Sequence, residues 1–217
     1  MGIARYGYDV VGTVVAICAL LGVVIWFFVD PKTVRLGLSA LLGVALLFTL
    51  YFFRDPDRTI PQGKGLVIAP ADGKVLEVRE VHEPEFLKGE AVRVSIFMSP
   101  LNVHVNRFPV SGTVRHFRHI PGEYLMAFDE KSSSRNERTQ IGIDTGTTRV
   151  LFTQIAGFIA RRIVAEVHEG DQAVRGERFG MIKFGSRVDV FVPKGVRIVV
   201  RQGDVTVAGE TVLAELS

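Results

Sequence analysis

Residues 184–191 read Phe-Gly-Ser-Arg-Val-Asp-Val-Phe, a Gly-Ser pair followed at once by an apolar, strand-like run. Short runs of the same kind recur through residues 65–217, and Gly, Pro and Asp residues that are typical of turns separate them. No long stretch of this region carries a convincing helical apolar face. The sequence therefore predicts a β-rich, all-β domain of antiparallel strands, of the flattened sandwich or barrel-sandwich kind.

The candidate strands share β-type composition and flanking turn residues; they are residues 65–69, 73–81, 90–97, 112–119, 139–144, 148–156, 162–167, 187–193 and 196–200. The polar segment 123–134 predicts a loop or a short helix instead. Turn residues lie between all of these elements, as expected for a meandering β fold.

Two apolar segments without charge, Val10–Val29 and Leu36–Phe53, precede this domain. A helix needs about 20 apolar residues to cross the hydrocarbon core of a bilayer. Asp30-Pro31 between them is a strong turn signal. The sequence predicts a helical hairpin over residues 1–58, in or through a membrane, followed by the β-rich domain over residues 59–217. A helical pair buried in a soluble domain is the alternative.

Composition and charge narrow the possible functions. The chain of 217 residues has a formal net charge of +3, and its Lys and Arg residues are scattered, which argues against nucleic-acid binding. The single cysteine, Cys18, excludes an internal disulfide and a cysteine-based metal site, and no metal is expected. A hairpin that spans twice places both of its ends on one side, and we expect the β-rich domain to face the cytoplasm at the cell membrane.

Gly185 and Ser186 allow two interpretations. The pair is common in ordinary turns. A serine hydroxyl held beside the preceding carbonyl can also attack it, and glycine leaves that carbonyl open to close approach. The amide then becomes an ester, β-elimination cuts the chain, and hydrolysis of the resulting dehydroalanine leaves a pyruvoyl group on the new N-terminus.

Three further positions could serve this chemistry. Asp72, in an Asp-Gly pair, is either a turn residue or the partner that orients a histidine. His104 alternates with two valines and is the candidate base for the Ser186 hydroxyl. Asn136 and Arg138 lie either in a solvated turn or in a site for a lipid headgroup, with Arg138 pairing to carboxylate or phosphate.

A repeated turn supports a rival hypothesis. Residues 170–177 (GDQAVRGE) and 203–210 (GDVTVAGE) share one pattern, which is typical of biotinyl- and lipoyl-like domains. Those carriers present a lysine at an exposed hairpin tip, and Lys183 is the nearest, poor match. A membrane-tethered, non-enzymatic β module of this kind is the second function to be tested.

Taken together and in order, these segments resemble the phosphatidylserine decarboxylase family, most closely its short, archaeal-type branch. The resemblance covers nearly the whole chain. Besides the apolar pair, it is carried by residues 53–58 (FRDPDR), 70–75 (PADGKV), 98–107 (MSPLNVHVNR), 136–138 (NER) and 184–191 (FGSRVDVF).

The resemblance implies a proenzyme that cuts itself into a β chain, residues 1–185, and an α chain, residues 186–217. The two chains stay together as a heterodimer or a higher oligomer. Ser186 becomes the covalent pyruvoyl cofactor, whose ketone condenses with the serine amine of the phospholipid and whose carbonyl accepts the electrons released with CO₂. No nucleic acid and no metal take part.

Residue roles follow from the same resemblance. Asp72 matches the family's acidic residue, which orients a histidine during self-cleavage. His104 matches the histidine of the S-P-x-x-x-H pattern. The long bacterial branch has a second histidine where this chain has Arg107. The resemblance therefore does not divide self-cleavage and the later proton transfer between two histidines, and the simplest proposal is an Asp72–His104–Ser186 relay in which His104 serves both.

Overall fold

The computed structural model describes residues 2–129, 132–158, 162–183 and 186–216. The chain divides into two compact units, Met1–Asp57 and Arg58–Ser217. The first unit contains the helices α1 (Tyr8–Phe28) and α2 (Lys32–Phe52) and a short antiparallel pair of strands, β1 (Gly2–Ile3) and β2 (Arg54–Asp55).

Both helices are long and apolar enough to cross a membrane, and their apolar windows are not buried inside the protein. The predicted turn between them is shorter than expected, because the carbonyl of Pro31 already accepts hydrogen bonds from the backbone N–H groups of Val34 and Arg35. Lys32 therefore begins the second helix. Apolar side chains exposed on every side are typical of helices that face lipid.

The second unit is built from fourteen strands and one short helix: β3 (Leu66–Ile68), β4 (Gly73–Glu83), β5 (Gly89–Met98), β6 (Val105–Arg107), β7 (Gly112–Ile120), α3 (Ser132–Arg135), β8 (Arg138–Asp144), β9 (Arg149–Ala156), β10 (Arg162–Ala165), β11 (Gln172–Ala173), β12 (Arg178–Lys183), β13 (Ser186–Pro193), β14 (Arg197–Ile198), β15 (Val205–Thr206) and β16 (Val212–Glu215). The prediction of a β-rich domain with an N-terminal helical pair is confirmed.

Eight strands form the main sheet in the order β11-β7-β8-β9-β13-β5-β4-β15, which curls into a half-barrel. Two three-stranded sheets, β10-β12-β6 and β14-β16-β3, accompany it. All ladders between the named strands are antiparallel. β13 lies in the interior of the main sheet, where Ser186 is in register with Met98 on one side and Ala156 on the other.

Each predicted strand has a counterpart in the structure. Two strands were not predicted from the sequence although they adjoin candidate site residues: β6, which follows His104, and β12, which ends three residues before Ser186. β6 has only three residues, too few for a recognisable alternation. β12 contains Gly180, where a Cβ atom would overlap the carbonyl oxygen of Val164, and its pairing with β6 shifts register there. A glycine of this kind marks a close approach of two backbones, and because it interrupts the alternation of side chains, the strand is not recognisable from the sequence.

Gly73 provides a test of the packing between β4 and β5. A Cβ atom at Gly73 would overlap the backbone carbonyl oxygen of Phe97, whereas one at Gly89, which begins β5, would come no closer than 4.0 Å to Leu87 O. We expect Gly73→Ala to lower the free energy of unfolding by about 1–3 kcal/mol, because overpacking forces the backbone apart. Urea unfolding in detergent measures this. The matched Gly89→Ala is expected within about 0.5 kcal/mol of wild type, and equal effects would contradict the packing described.

Candidate active site

Ser186 is the first residue of β13 and is fully buried. Its hydroxyl donates to the thioether sulfur of Met98 at 3.2 Å, and a thioether is only a weak acceptor. Its side chain lies on the same face as Val188, which belongs to the hydrophobic core. Residues 184–185 lie outside the described residues, so only the serine side of the predicted Gly185–Ser186 cleavage site is described.

His104 is also fully buried. Its ring Nδ1 lies 3.0 Å from the carbonyl oxygen of Asn102. A carbonyl can only accept, so Nδ1 carries a proton; in the neutral form of the ring the lone pair is then on Nε2, the atom that a general base uses. The carbonyl of His104 accepts a hydrogen bond from the backbone N–H of Ile182 at 3.4 Å, which extends the β6–β12 ladder by one residue.

Asn106 connects this segment to Ser186. It lies two residues after His104, and residues two apart in a ladder point to the same side. The Asn106 amide nitrogen donates to the carbonyl of Pro70 at 3.3 Å and lies 3.8 Å from the sulfur of Met98, the same sulfur that accepts from Ser186. Through Asn106 and Met98, the His104 segment therefore reaches the Ser186 side chain.

Asp72 has other partners than predicted. Its carboxylate accepts two hydrogen bonds from one guanidinium nitrogen of Arg58, at 2.8 and 2.9 Å, and one from the backbone N–H of Ala208 at 2.8 Å. Among the described residues, no hydrogen bond joins Asp72 to His104. The structure thus brings Ser186, Met98 and Asn106 together and holds Asp72 through Arg58, and a catalytic role for Asp72 stays a prediction.

Asn136 and Arg138 are held mainly by backbone groups. The buried Asn136 amide donates to the carbonyls of Leu125 and Ala156, at 2.8 and 2.7 Å, and accepts from the Leu125 N–H. Arg138 donates to the carbonyl of Ser134 at 2.8 Å. Burial lowers the pKa of Arg138 from its usual value, the neighbouring Glu85 opposes this shift, and Arg118 adds to it. Binding of a headgroup by these two residues stays a prediction.

On the other face of β13 lies a buried ion cluster, formed by Arg187, Asp189, Glu77, Ser95 and Arg93. The Arg187 Nε donates to Asp189 at 2.6 Å, and its Nη2 donates to Glu77 at 3.0 Å and to Ser95 at 2.7 Å. Arg93 also pairs with Glu77. The side chains of Arg187 and Asp189 are only 2% and 1% exposed.

Sequence reasoning missed this cluster, although two opposite charges spaced by one residue within an apolar strand could have indicated a buried pair. Burial raises the pKa of Glu77, but the nearby guanidinium groups of Arg93 and Arg187 lower it by more, so its pKa lies below the ordinary value of 4.5. Glu77 is therefore ionised near neutral pH and balances the buried positive charge.

Known proteins resemble this chain over nearly its whole length. A sequence model of the family described as phosphatidylserine decarboxylase matches residues 45–214. A phosphatidylserine decarboxylase proenzyme of Chlorobium phaeobacteroides is 48% identical over 208 residues, which cover 96% of this chain and 97% of that protein. The protein of the same description from Chlorobaculum tepidum is 49% identical over 215 residues, covering 99% of this chain and 98% of that protein.

The ion cluster predicts a large effect at Arg187. In Arg187→Met the buried carboxylate of Asp189 loses its guanidinium partner and keeps the hydroxyl of Ser133 at 2.7 Å. We expect the free energy of unfolding to fall by about 3–5 kcal/mol, as for other buried pairs that lose one member. Thermal or urea unfolding of the purified chain in detergent measures the change.

The matched control is Arg197→Met, because Arg197 pairs with Glu215 at the same kind of distance, 2.7 Å, but with 74% of its side chain exposed. An exposed pair contributes at most about 1 kcal/mol. If the two variants lose equal stability, the buried cluster does not hold β13 as described.

Proposed function

The chain belongs to the phosphatidylserine decarboxylase family, and we propose from this membership that it is a proenzyme that cuts its own Gly185–Ser186 bond and then decarboxylates phosphatidylserine. The product is phosphatidylethanolamine. The observation that carries the proposal is the burial of Ser186 at the start of an interior strand, next to the segment that bears His104. Among the described residues its hydroxyl donates only to a thioether, a weak acceptor, so no strong hydrogen bond has to break there before the hydroxyl reacts.

Self-cleavage uses the residues of this chain alone. His104 accepts the proton of the Ser186 hydroxyl through Nε2, while its Nδ1–H stays bonded to the Asn102 carbonyl. The hydroxyl oxygen attacks the carbonyl carbon of Gly185, and the peptide nitrogen leaves with a proton as the amide becomes an ester. Loss of the Cα proton of Ser186 breaks the ester bond and gives a carboxylate on Gly185. Water then replaces the nitrogen of residue 186, which departs as ammonia.

The surroundings of Ser186 suit the pyruvoyl group that this sequence of steps produces. In the uncut chain Ser186, Met98 and Ala156 are all fully buried. Among the described residues, its register partners are Ala156 and Met98, a small methyl group and a flexible thioether that can adjust to a planar dicarbonyl. When present, the group supplies the electron sink for loss of CO₂.

His104 has a second proposed task in the decarboxylation. The carbon that loses CO₂ must take up one proton, and a neutral histidine that has gained a proton can deliver it. A single histidine is expected to serve both steps because Arg107 is not available to carry protons: its guanidinium donates to the carbonyl of Gly176 at 2.9 Å, and an arginine keeps its proton.

Asp72 is proposed as a positioning residue for His104. It lies in the turn that follows Pro70, and the carbonyl of Pro70 accepts hydrogen bonds from the backbone N–H of Arg107 and from the Asn106 side chain. A carboxylate fixed by Arg58 thereby keeps the turn, and with it the segment that carries His104, in place. This role differs from direct contact between Asp72 and the histidine ring.

The two chains are proposed to remain one molecule after cleavage. β13 begins at the cut and is hydrogen-bonded to β5 on one side and β9 on the other, both of which belong to residues 1–185. Arg187 is tied to Glu77 and Ser95 across the same boundary. The heterodimer thus needs no new contacts.

The helical pair is proposed to anchor the enzyme at the cell membrane, with the β-rich domain on the cytoplasmic side. A phospholipid substrate keeps its acyl chains in the bilayer, so an anchored enzyme meets it at the surface. The rival carrier function is not supported, because Lys183 is buried at the end of β12, whereas a carrier lysine has to lie at an exposed tip.

Replacement of the nucleophile tests the cleavage. Ser186→Ala lacks the hydroxyl, so it is expected to stay an intact chain of 23.9 kDa without decarboxylase activity. The exposed loop residue Ser111 provides the control, and Ser111→Ala should be cut like wild type. Denaturing gels and CO₂ release from labelled phosphatidylserine measure both. A cut or active Ser186→Ala would contradict the assignment.

Asp72→Asn tests the positioning role. The amide keeps the shape of the side chain but weakens the pairing with Arg58, and we expect self-cleavage at least about 10-fold slower, as for a lost charge-assisted hydrogen bond. The control is Asp204→Asn, because Asp204 caps a turn by accepting from the backbone N–H of Arg201 at 2.8 Å. The rate of appearance of the two fragments after synthesis measures the effect. If both variants cleave alike, Asp72 is only a turn residue.

A further inference from the structure

Gln154 on β9 carries a buried acceptor without a partner. The side chain is fully buried, and its nitrogen Nε2 donates to Oδ1 of Asn106 at 2.9 Å. Within the part of the chain that the structure describes, nothing donates to its oxygen Oε1. A buried oxygen with no donor destabilises a fold, and a donor on a bound molecule can supply the missing hydrogen bond.

The orientation of this amide is fixed by its neighbours. The Asn106 nitrogen faces the carbonyl of Pro70, which can only accept. Oδ1 of Asn106 must therefore face Gln154 and requires a donor there. Rotating the Gln154 amide by half a turn would place two oxygens together, so Oε1 is the atom that is left without a donor.

Gln154 lies on the face of the sheet that carries Ser186. Ala156 is the register partner of Ser186, and Gln154 is two residues before Ala156 on the same strand, hence on the same face. A diagonal neighbour across two strands is within reach of a long side chain. The hydrogen-bond chain from Gln154 through Asn106 and Met98 ends at the Ser186 hydroxyl.

The chemistry at Ser186 determines which molecule can donate a hydrogen bond to Oε1 of Gln154. Once ammonia has left, self-cleavage adds only acceptors to this site: the two carbonyl oxygens at residue 186 and the carboxylate of Gly185. The substrate brings the missing donor, because its serine amine must come to residue 186 for the reaction to begin. Resting on the function proposed above, we propose that Oε1 of Gln154 accepts a hydrogen bond from the amine nitrogen of the phospholipid and so selects lipids that carry an amine.

Gln140 on β8 is a matched control. Its Oε1 is likewise buried without a donor among the described residues. It is in register with Thr153, next to Gln154 in sequence, and so lies on the opposite face of the sheet from Ser186. Gln140→Met removes the same atoms as Gln154→Met but from the face of the sheet opposite Ser186.

The first experiment compares wild type, Gln154→Met and Gln140→Met as purified enzymes in detergent micelles. We expect all three to be cleaved, because the proposed bond is made only to substrate and Asn106 keeps its hydrogen bond to the Pro70 carbonyl when the donor at residue 154 is lost. We expect kcat/KM for phosphatidylserine to fall about 10- to 100-fold in Gln154→Met, the usual effect of losing one hydrogen bond to a charged group. In Gln140→Met it should stay within about twofold of wild type. Equal activity of the two variants would overturn the inference and leave Oε1 with a buried water only.

A second measurement does not depend on turnover. Borohydride reduces the reactive carbonyl, and the reduced enzymes are titrated with phosphatidylethanolamine and with phosphatidylethanol, which lacks the amine. Wild type and Gln140→Met should prefer the amine lipid by about 10-fold, and Gln154→Met should bind both alike. An unchanged preference in Gln154→Met would contradict the proposal.

A third variant covers the case in which Gln154→Met fails to fold. Gln154→Asn keeps the amide but withdraws it by one methylene group, and it should be cleaved yet lose the preference for the amine lipid. If Gln154→Asn also stays uncut while Gln140→Met is cut, Gln154 acts in folding or cleavage and the inference is wrong. If wild type itself is neither cut nor active, the failure lies with the proposed function instead.

Discussion

The pairing of β13 with a neighbouring strand on each side is the constraint on which the rest of the site depends. It fixes Ser186 opposite Met98 and Ala156, and it decides which side chains point to which face. One face contributes Ser186 to a closed interior. The other places Arg187 and Asp189 in a buried ion cluster. A shift of one residue would exchange the two faces and bury charge in the apolar core.

That constraint also explains how a cut chain could stay functional. A peptide bond broken at the beginning of an interior strand would normally let the new end fray. Here Arg187, the second residue after the cut, is held by an ion pair to Glu77 and a hydrogen bond to Ser95, and the ladders on both sides remain. The contacts that order the new terminus are therefore already formed before the chain is cut. Ser186, the proposed reactive residue, is held at its place by the same ladders.

Some of this could be read from the sequence, and some could not. The long β runs and the apolar pair were predictable because alternation, turn residues and length are local properties. β6 and β12 were not, because three residues carry no period and Gly180 interrupts the other strand. The partner of Asp72 was missed for a different reason: Arg58 lies in the segment joining the two units, and sequence spacing does not show where such a segment returns. The role proposed for Gln154 could not be predicted from the sequence, because whether its side-chain oxygen has a donor depends on how the interior packs.

The central claim is that the chain cuts itself before Ser186 and converts that residue. Intact mass spectrometry of the purified wild-type protein under denaturing conditions tests it most directly. The account predicts two fragments, residues 1–185 and 186–217, the smaller one lighter by one ammonia than its unmodified sequence. A single species of 23.9 kDa, or a smaller fragment that begins with an unmodified serine, would contradict it.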